Sequence, residues 1–414
     1  MELKIEYKKT DLGWLPNNWE VRTLGSCLVS PPSYGINAPA VPYVDSLPAY
    51  VRITDITDDG RFLPQPLVSV DSPFSARYQL KENDIVLART GASVGKSWRY
   101  DTNFGPLVFA GFLIKVSPDS TRLLPDFAAA YLLTATYWRW VKTNSMRSGQ
   151  PGINGGEFSR LPLPVPPVEE QYAIIRTLFA VDSLIAGLEK LIAKKCDLKQ
   201  AAMQQLLTGQ TRLPGFSGEW SRNDLKNLVS TPITDGPHLT PTFYETGVPF
   251  LSVNNLANNR IDWSDLRFIS KADDEIFSRK CKPRKGDVLL GKAASVGKVA
   301  IVEDDFDFNI WSPIALIRSN AQVDAKFLYY QLLSADCITQ VMLLTNSSSQ
   351  GNIGMGDIEK IQISYPDLDE QNAIAKALSD IDAELTVLES RITKTRDLKQ
   401  GIMQELLTGR TRLV

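Results

Sequence analysis

Between Glu169 and Thr208 apolar positions recur in steps of four and three: Ile174, Leu178, Val181, Ile185, Leu188 and Ile192, then Ala202 and Leu206. The same beat returns later as Ile374, Leu378, Ile381, Leu385, Leu388 and Ile392, then Ile402 and Leu406. A repeat of 3.5 held over many turns is the seam of a coiled coil. It predicts two helices of about 40 residues, each about 60 Å long at 1.5 Å per residue. Lys195, Lys199, Thr395 and Lys399 interrupt the two seams at the same turns, which helps to fix register. Pro167 marks one start, Asp367 with Glu370 makes a capping-box pattern at the other, and Gly209 and Gly409 stand where both helices should stop. A dimerisation coil between chains is the alternative reading of such a stripe. With two equivalent helices in one chain, pairing with each other is the simpler arrangement. If they run antiparallel, the bodies before them lie at opposite ends about a pseudo-two-fold axis and the coil is a spacer.

Ahead of each helix the rhythm changes. Tyr50-Val51-Arg52-Ile53-Thr54, Asp84-Ile85-Val86-Leu87 and Phe112-Leu113-Ile114 are short β-type runs. Val248-Pro249-Phe250-Leu251-Ser252-Val253, Asp287-Val288-Leu289-Leu290 and Ile314-Ala315-Leu316-Ile317 are their counterparts. A helix is expected after each set, near 125–142 and 324–342. Strands and helices do not alternate regularly, so the class is α+β with β-sheet cores, not a doubly wound nucleotide fold. The expected organisation is a globular body at 1–166, a helix at 167–213, a second body at 214–366 and a second helix at 367–414.

Residues 196–213 and 396–413 superimpose without a gap and share 13 of 18 positions, among them Asp197-Leu198-Lys199-Gln200 and Leu206-Leu207-Thr208-Gly209. That is an internal duplication. Upstream, Glu170-Gln171 answers Glu370-Gln371, Ser93-Val94-Gly95-Lys96 answers Ser295-Val296-Gly297-Lys298, and Trp19 answers Trp220. The helices stay alike while the bodies diverge, the pattern of one shared docking surface joined to two different readers.

Composition narrows the classes. A hydrophobic share of 43% with 22% charged residues excludes wholesale disorder, and 414 residues exceed a single compact core. Charge at Glu2, Lys4 and Glu6 falls where a signal peptide needs an apolar core, and no apolar run approaches about 20 residues. Cys27, Cys196, Cys281 and Cys337 have no metal-ligand spacing. A cytoplasmic, reduced protein without zinc or disulfides is expected. The net charge of −2 weighs against DNA binding. Residues 1–166 hold 17 basic and 15 acidic side chains, and 214–366 hold 15 and 18. Any DNA contact must then come from locally placed cations, with partner proteins adding positive field.

Catalytic signatures fail one by one. Gly91-Ala92-Ser93-Val94-Gly95-Lys96-Ser97 resembles a phosphate loop, but Thr90 stands where glycine is required, and in the second copy Lys292 takes that place and Val299 follows the lysine. Lys96 and Lys298 either face a nucleic-acid phosphate or merely sit in a strand turn. The single histidine, His238, has no nucleophile or metal partner in view and reads as a loop residue that touches a ligand. Ser30-Pro31-Pro32-Ser33 lacks the aromatic residue of a DNA methyl-transfer motif. Polar loops are the better candidates, because their donor and acceptor pairs match base edges in the major groove. Both bodies place one before the long helix: Arg147, Ser148, Gly149, Gln150 and Asn154, then Ser347, Ser348, Ser349, Gln350 and Asn352. Solvated turns are the alternative for any one of them.

Taken in order, these features resemble the DNA specificity subunit of Type I restriction-modification systems over nearly the whole chain. The resemblance rests on Tyr34-Gly35-Ile36-Asn37 leading to Tyr50 through Ile56, on Asp84 through Lys96, on Asp235-Gly236-Pro237-His238, and on both Leu-Leu-Thr-Gly helix ends. It implies two target-recognition domains, each reading half of a split target in double-stranded DNA. It further implies long helices that dock two modification (methyltransferase) subunits, joined by restriction/translocase subunits. S-adenosylmethionine, ATP and Mg belong to those partners, and this chain is expected to carry no cofactor, metal or catalytic residue and to have no membrane contact. The expected DNA-binding residues are Tyr34, Asn37, Arg52, Thr54, Arg89, Ser93, Lys96, Arg147, Gln150 and Asn154 in the first body. In the second they are Thr234, Asp235, His238, Thr240, Asn254, Lys292, Ser295, Lys298, Ser349, Gln350 and Asn352. A non-catalytic coiled-coil scaffold without DNA specificity is the competing class, and a stand-alone enzyme acting on nucleotides or methyl groups is a third.

Overall fold

The computed structural model describes residues 6–146, 149–346 and 351–413. Contacts divide the chain into two compact units, one holding residues up to Glu189 with those from Arg391 onward, the other Lys190–Ser390. Each unit contains one head and parts of both long helices, Val168–Leu206 and Leu368–Leu406. Each helix therefore begins in one unit and ends in the other.

The first head is organised by an antiparallel sheet in the order Leu28–Tyr34, Leu113–Pro118, Ile85–Ala88, Ser97–Arg99. A second sheet runs Leu107–Phe109, Ala49–Val51, Val68–Val70, Ala40–Pro42, with its first pair parallel. Strand Ile85–Ala88 is buried at every residue, which explains its unbroken apolar sequence. Its side chains alternate between two cores. Ile85 and Leu87 join Phe127, Tyr131, Tyr137 and Phe158 on the helical side, whereas Val86 and Ala88 join Val51, Phe109 and Trp98 on the other.

The second head repeats this plan. Its antiparallel sheet runs Thr234–Asp235, Ile314–Ile317, Val288–Gly291, Val299–Ile301. Its second sheet runs Arg267–Ile269, Val248–Leu251, Asn309–Ile310, again with one parallel pair. Val288 and Leu290 face the helical core while Leu289 faces Phe308 and Ile310. Where one helix is expected in each body, the structure has two in sequence, Pro125–Tyr131 with Ala135–Ser145, and Ala325–Leu332 with Ala335–Leu344.

Within each unit the two long helices run antiparallel. In the first, Asp182 meets Lys399 and Glu189 meets Arg396, each at 2.6 Å. In the second, Lys199 meets Asp382 at 2.6 Å and Lys195 meets Glu384. The lysines that interrupt the seams are thus the ones that ion-pair across it, and Thr395, buried, returns its hydroxyl proton to the Arg391 carbonyl at 2.7 Å. One 18-residue stretch of the first helix reaches a mean hydropathy of 1.3, apolar enough for a membrane span by composition, with 28% of it buried. Arg176 and Asp182 interrupt it, so no unbroken apolar run shows in the sequence.

The repeated Glu-Gln pairs anchor each helix start. Gln171 accepts from the Leu124 amide at 2.8 Å and donates to the carbonyls of Arg122 and Pro166, and Gln371 does the same with Asp324, Gln322 and Pro366. Asp367 accepts from the Glu370 amide at 2.9 Å, but the Glu370 carboxylate turns to Arg212 instead of closing the capping box. Gly209 and Gly409 adopt φ of 70° and 71°, the left-handed turn that ends a helix and that glycine enters without a Cβ penalty.

Candidate nucleic-acid interface

In each head, loops from both sheets gather at one rim. Strand Leu28–Tyr34 ends there opposite Ile114, and Thr234–Asp235 ends opposite Ala315, so Tyr34 and Asp235 share one register position. The next residue must be glycine in both. A Cβ on Gly35 would lie 2.2 Å from the Ala110 carbonyl oxygen, and one on Gly236 would lie 1.8 Å from that of Ile310.

The rim of the first head is held by Tyr34 and Arg89. The Tyr34 hydroxyl accepts from the Gly155 amide at 3.0 Å, and the Arg89 guanidinium lies over the Tyr34 ring at 5.2 Å while its Nε donates to the Gly111 carbonyl. Amides of Ile153 and Gly91 bond to the carbonyls of Arg89 and Pro151, stitching the loop at 149–154 to the turn at Gly91–Ser93. Asn154 closes a capping box with Glu157 at the start of Gly155–Ser159. Gln150 and Asn37 are exposed, and Ser93 is half-buried in its turn.

Two of the expected contact residues pair with aspartates of their own head. Arg52 makes a two-pronged ion pair with buried Asp55, closest at 2.8 Å, and donates to the Pro66 carbonyl. That pairing raises its pKa. Lys96 pairs with Asp58 at 2.9 Å. Thr54, by contrast, stands exposed on the turn Ile53–Asp55 that Arg52 and Asp55 hold. Asn254 occupies the same place on Val253–Asn255, where Asn255 accepts from the Ser252 amide at 2.9 Å.

The rim of the second head is built around Asp235, which is 4% exposed. Lys292 lies 2.9 Å from its carboxylate, Lys280 bonds its other oxygen, and His238 Nε2 lies 3.3 Å away. Burial alone would raise the pKa of Asp235, but the hydrogen bonds from Lys280 and Lys292 outweigh it and hold the carboxyl below its ordinary range. Lys298 donates to the Val253 carbonyl at 3.5 Å. Ser295 and Thr234 are half-buried, His238 and Thr240 are exposed, and exposed Asn352 bridges Ala293 and Asn346. Arg147, Ser349 and Gln350 lie outside the described residues.

The structure corrects one correspondence drawn from sequence. Laid out by sequence, Lys292 falls on Thr90, yet its backbone bonds match those of Arg89. The Arg89 amide donates to Phe112 and its carbonyl accepts from Ile153, and the Lys292 amide donates to Pro313 and its carbonyl accepts from Ile353. The loop from Gly291 to Lys298 is one residue shorter than that from Ala88 to Lys96, as 298 − 291 = 7 and 96 − 88 = 8, with both pairs joined by the same hydrogen bond. A residue lost inside the loop shifts the alignment ahead of it. Gly91 and Ala294 are then equivalent, and both take a left-handed φ, 73° and 61°.

Sequence reasoning missed Lys280, brought to Asp235 by the end of helix Lys271–Ser278, because nothing in the chain links residues 45 apart. It also missed Phe112, 55% exposed in the rim turn beside Arg89. Its place in the apolar run Phe112-Leu113-Ile114 read as strand, whereas the strand begins at Leu113. Among the described residues no group of three His, Cys, Asp or Glu is placed to hold a metal. The rims therefore present cations, amides, hydroxyls and an aromatic ring on a fixed backbone, the chemistry that contacts phosphates and base edges.

Known proteins share the sequence family and the fold. The Type I restriction modification DNA specificity domain matches residues 50–195 and 231–395. A protein of Methanocaldococcus jannaschii named as the putative type I restriction enzyme MjaX specificity subunit is 26% identical over 98% of this chain and 97% of its own length. The crystal structure of the HsdS subunit from Thermoanaerobacter tengcongensis superimposes with a TM-score of 0.52 at 18% identity, covering 96% of this chain and 98% of that one. A chain from a type I R-M system structure concerned with complex assembly and conformational transition gives 0.59, also at 18% identity, covering 96% and 99%.

Proposed function

The chain belongs to the family of Type I restriction-modification DNA specificity domains, and from that premise we propose that it is the sequence-specific DNA-recognition subunit of such a system, reading a bipartite target with one head per half-site. One observation carries the reading. The two rims share a backbone plan, one loop residue apart in length, yet Tyr34 with Arg89 in one is replaced by Asp235 with Lys292 in the other. A common scaffold with exchanged side chains is what two readers of different base pairs require.

The rim residues divide by what their side chains have left to offer. Tyr34, Thr54, Gln150, Asn154, His238, Thr240, Asn254 and Asn352 are exposed and are assigned to base edges or phosphates. Arg52 and Lys96 serve the loops that carry the reading residues, since each is engaged by an aspartate of its own head. The long helices expose Phe179, Leu191, Val387 and Leu398, apolar side chains suited to a protein partner. We assign that partner as the modification subunits, which bring S-adenosylmethionine, with restriction subunits bringing ATP and Mg. The methyl-transfer chemistry is theirs, and the place of action is the cytoplasm.

Exchanging residues 1–166 for the corresponding head of another specificity subunit tests the reading. Sequencing methylated sites in cells carrying the hybrid should show one half of the target changed and the other kept. A change in both halves, or in neither, refutes it.

A further inference from the structure

The second head poses a charge problem that the first does not. Its 214–366 segment holds 15 basic against 18 acidic side chains, and a carboxylate stands in the middle of the rim assigned to DNA. A carboxylate facing phosphate is repelled, so an exposed one there would weaken binding. Asp235 is not exposed. It is 4% accessible and fixed by its own strand pairing at Thr234–Asp235.

Around it the surroundings are graded outward. Lys292 is the inner partner, with a side chain 12% exposed, and Lys280 is the outer one at 53%. Lys280 also reaches the Gly236 carbonyl at 3.4 Å, so two acceptors fix its direction. Helix Lys271–Ser278 delivers it, because the Lys280 amide bonds the Phe277 carbonyl and Ser270 caps the helix start. Two ammonium groups against one carboxylate leave one net positive charge, presented by an oriented side chain. In the first head Tyr34 takes the same register position and meets its cation with a ring face, with no opposing charge among the described residues.

Resting on the DNA-recognition reading, we propose that Asp235 is a positioning residue for specificity. Buried, it holds Lys280 and Lys292 as an oriented pair and keeps them from gripping phosphates regardless of sequence. It acts through the lysines and touches no DNA itself.

A loss of stability would lower all binding together, whereas this role moves specific and non-specific binding in opposite directions. The experiment uses the full chain assembled with its modification subunits and a pool of random-sequence duplexes, selected and sequenced, with affinity for a mixed-sequence duplex measured against salt. Wild type should select a bipartite motif. Asp235→Asn should keep one half of it, lose discrimination in the other by about tenfold or more, and steepen the log–log salt slope on mixed-sequence duplex by about 0.9, one added phosphate contact. Lys280→Gln, an exposed change that spares the fold, should blur the same half while flattening that slope by a similar amount. If Asp235→Asn fails to fold, Lys280→Gln decides alone. An intact second half in either folded variant, or a flatter slope in Asp235→Asn, overturns the proposal while leaving DNA recognition standing. A wild-type chain that selects no motif overturns both.

Discussion

Arg412 and Glu170 stand 2.7 Å apart, joined by two parallel hydrogen bonds, and so tie the segment after the second long helix to the start of the first. Trp19 completes the arrangement by donating its indole N–H to the same carboxylate at 2.9 Å. Met403, Leu406 and Leu407 belong to the core of the first head, just as Leu206 and Leu207 belong to that of the second. In the second head Arg212 takes the role of Arg412 with Glu370. The repeated Leu-Leu-Thr-Gly segments are thus structural parts of both heads.

Removal of Arg412 leaves the buried Glu170 carboxylate with the Trp19 indole as its remaining donor. Arg412→Ala should destabilise the first unit by about 3 kcal/mol. Hydrogen exchange resolved by segment should show faster opening in the first head, with the second unchanged.

The two tryptophans should respond differently to loss of the indole N–H. Trp19 donates to Glu170, whereas Trp220 Nε1 is buried without a hydrogen-bond partner among the described residues. Trp19→Phe forfeits a bond to a charged acceptor, about 1.5–3 kcal/mol, in addition to packing. Trp220→Phe forfeits packing alone and should cost measurably less in denaturant titrations.

Gly236→Ala should be among the most damaging single changes. Its Cβ would collide with the Ile310 backbone, which cannot rotate aside as a side chain could. A loss of about 3 kcal/mol is expected, read as a lower melting temperature. Selection from random duplexes should show one half-site lost.

The clamp on Asp235 sets a pH dependence. With its pKa held below the ordinary 3.8, the carboxylate stabilises the head at all pH values above the unfolded pKa, and that contribution is lost only as pH falls through the lower folded value. Discrimination at the second half-site by Asp235 should therefore be constant from about pH 5 to pH 8. A decline across that window that persists in His238→Ala would contradict this.

Length in the helices should set the spacing of the target. Inserting four residues into each long helix, about 6 Å at 1.5 Å per residue, is expected to widen the gap between half-sites by one or two base pairs. Methylation mapping gives the answer, and an unchanged gap removes the spacer role.

Much of the architecture was open to reading from the chain alone. The seams, the helix-stopping glycines, the duplication and the apolar strands are carried by near neighbours, because periodicity and turn chemistry are local properties of the backbone. The family followed from their order. What a side chain finally touches is another matter. Arg52 and Lys96 were expected at the DNA, and folding sets Asp55 and Asp58 beside them. Lys280 meets Asp235 across 45 residues, and Arg412 meets Glu170 across 242. One missing loop residue moved Lys292 onto the place of Arg89. Which charges remain for DNA is settled by topology, since the strength of an ion pair depends on distance and burial, and neither is written in the order of residues.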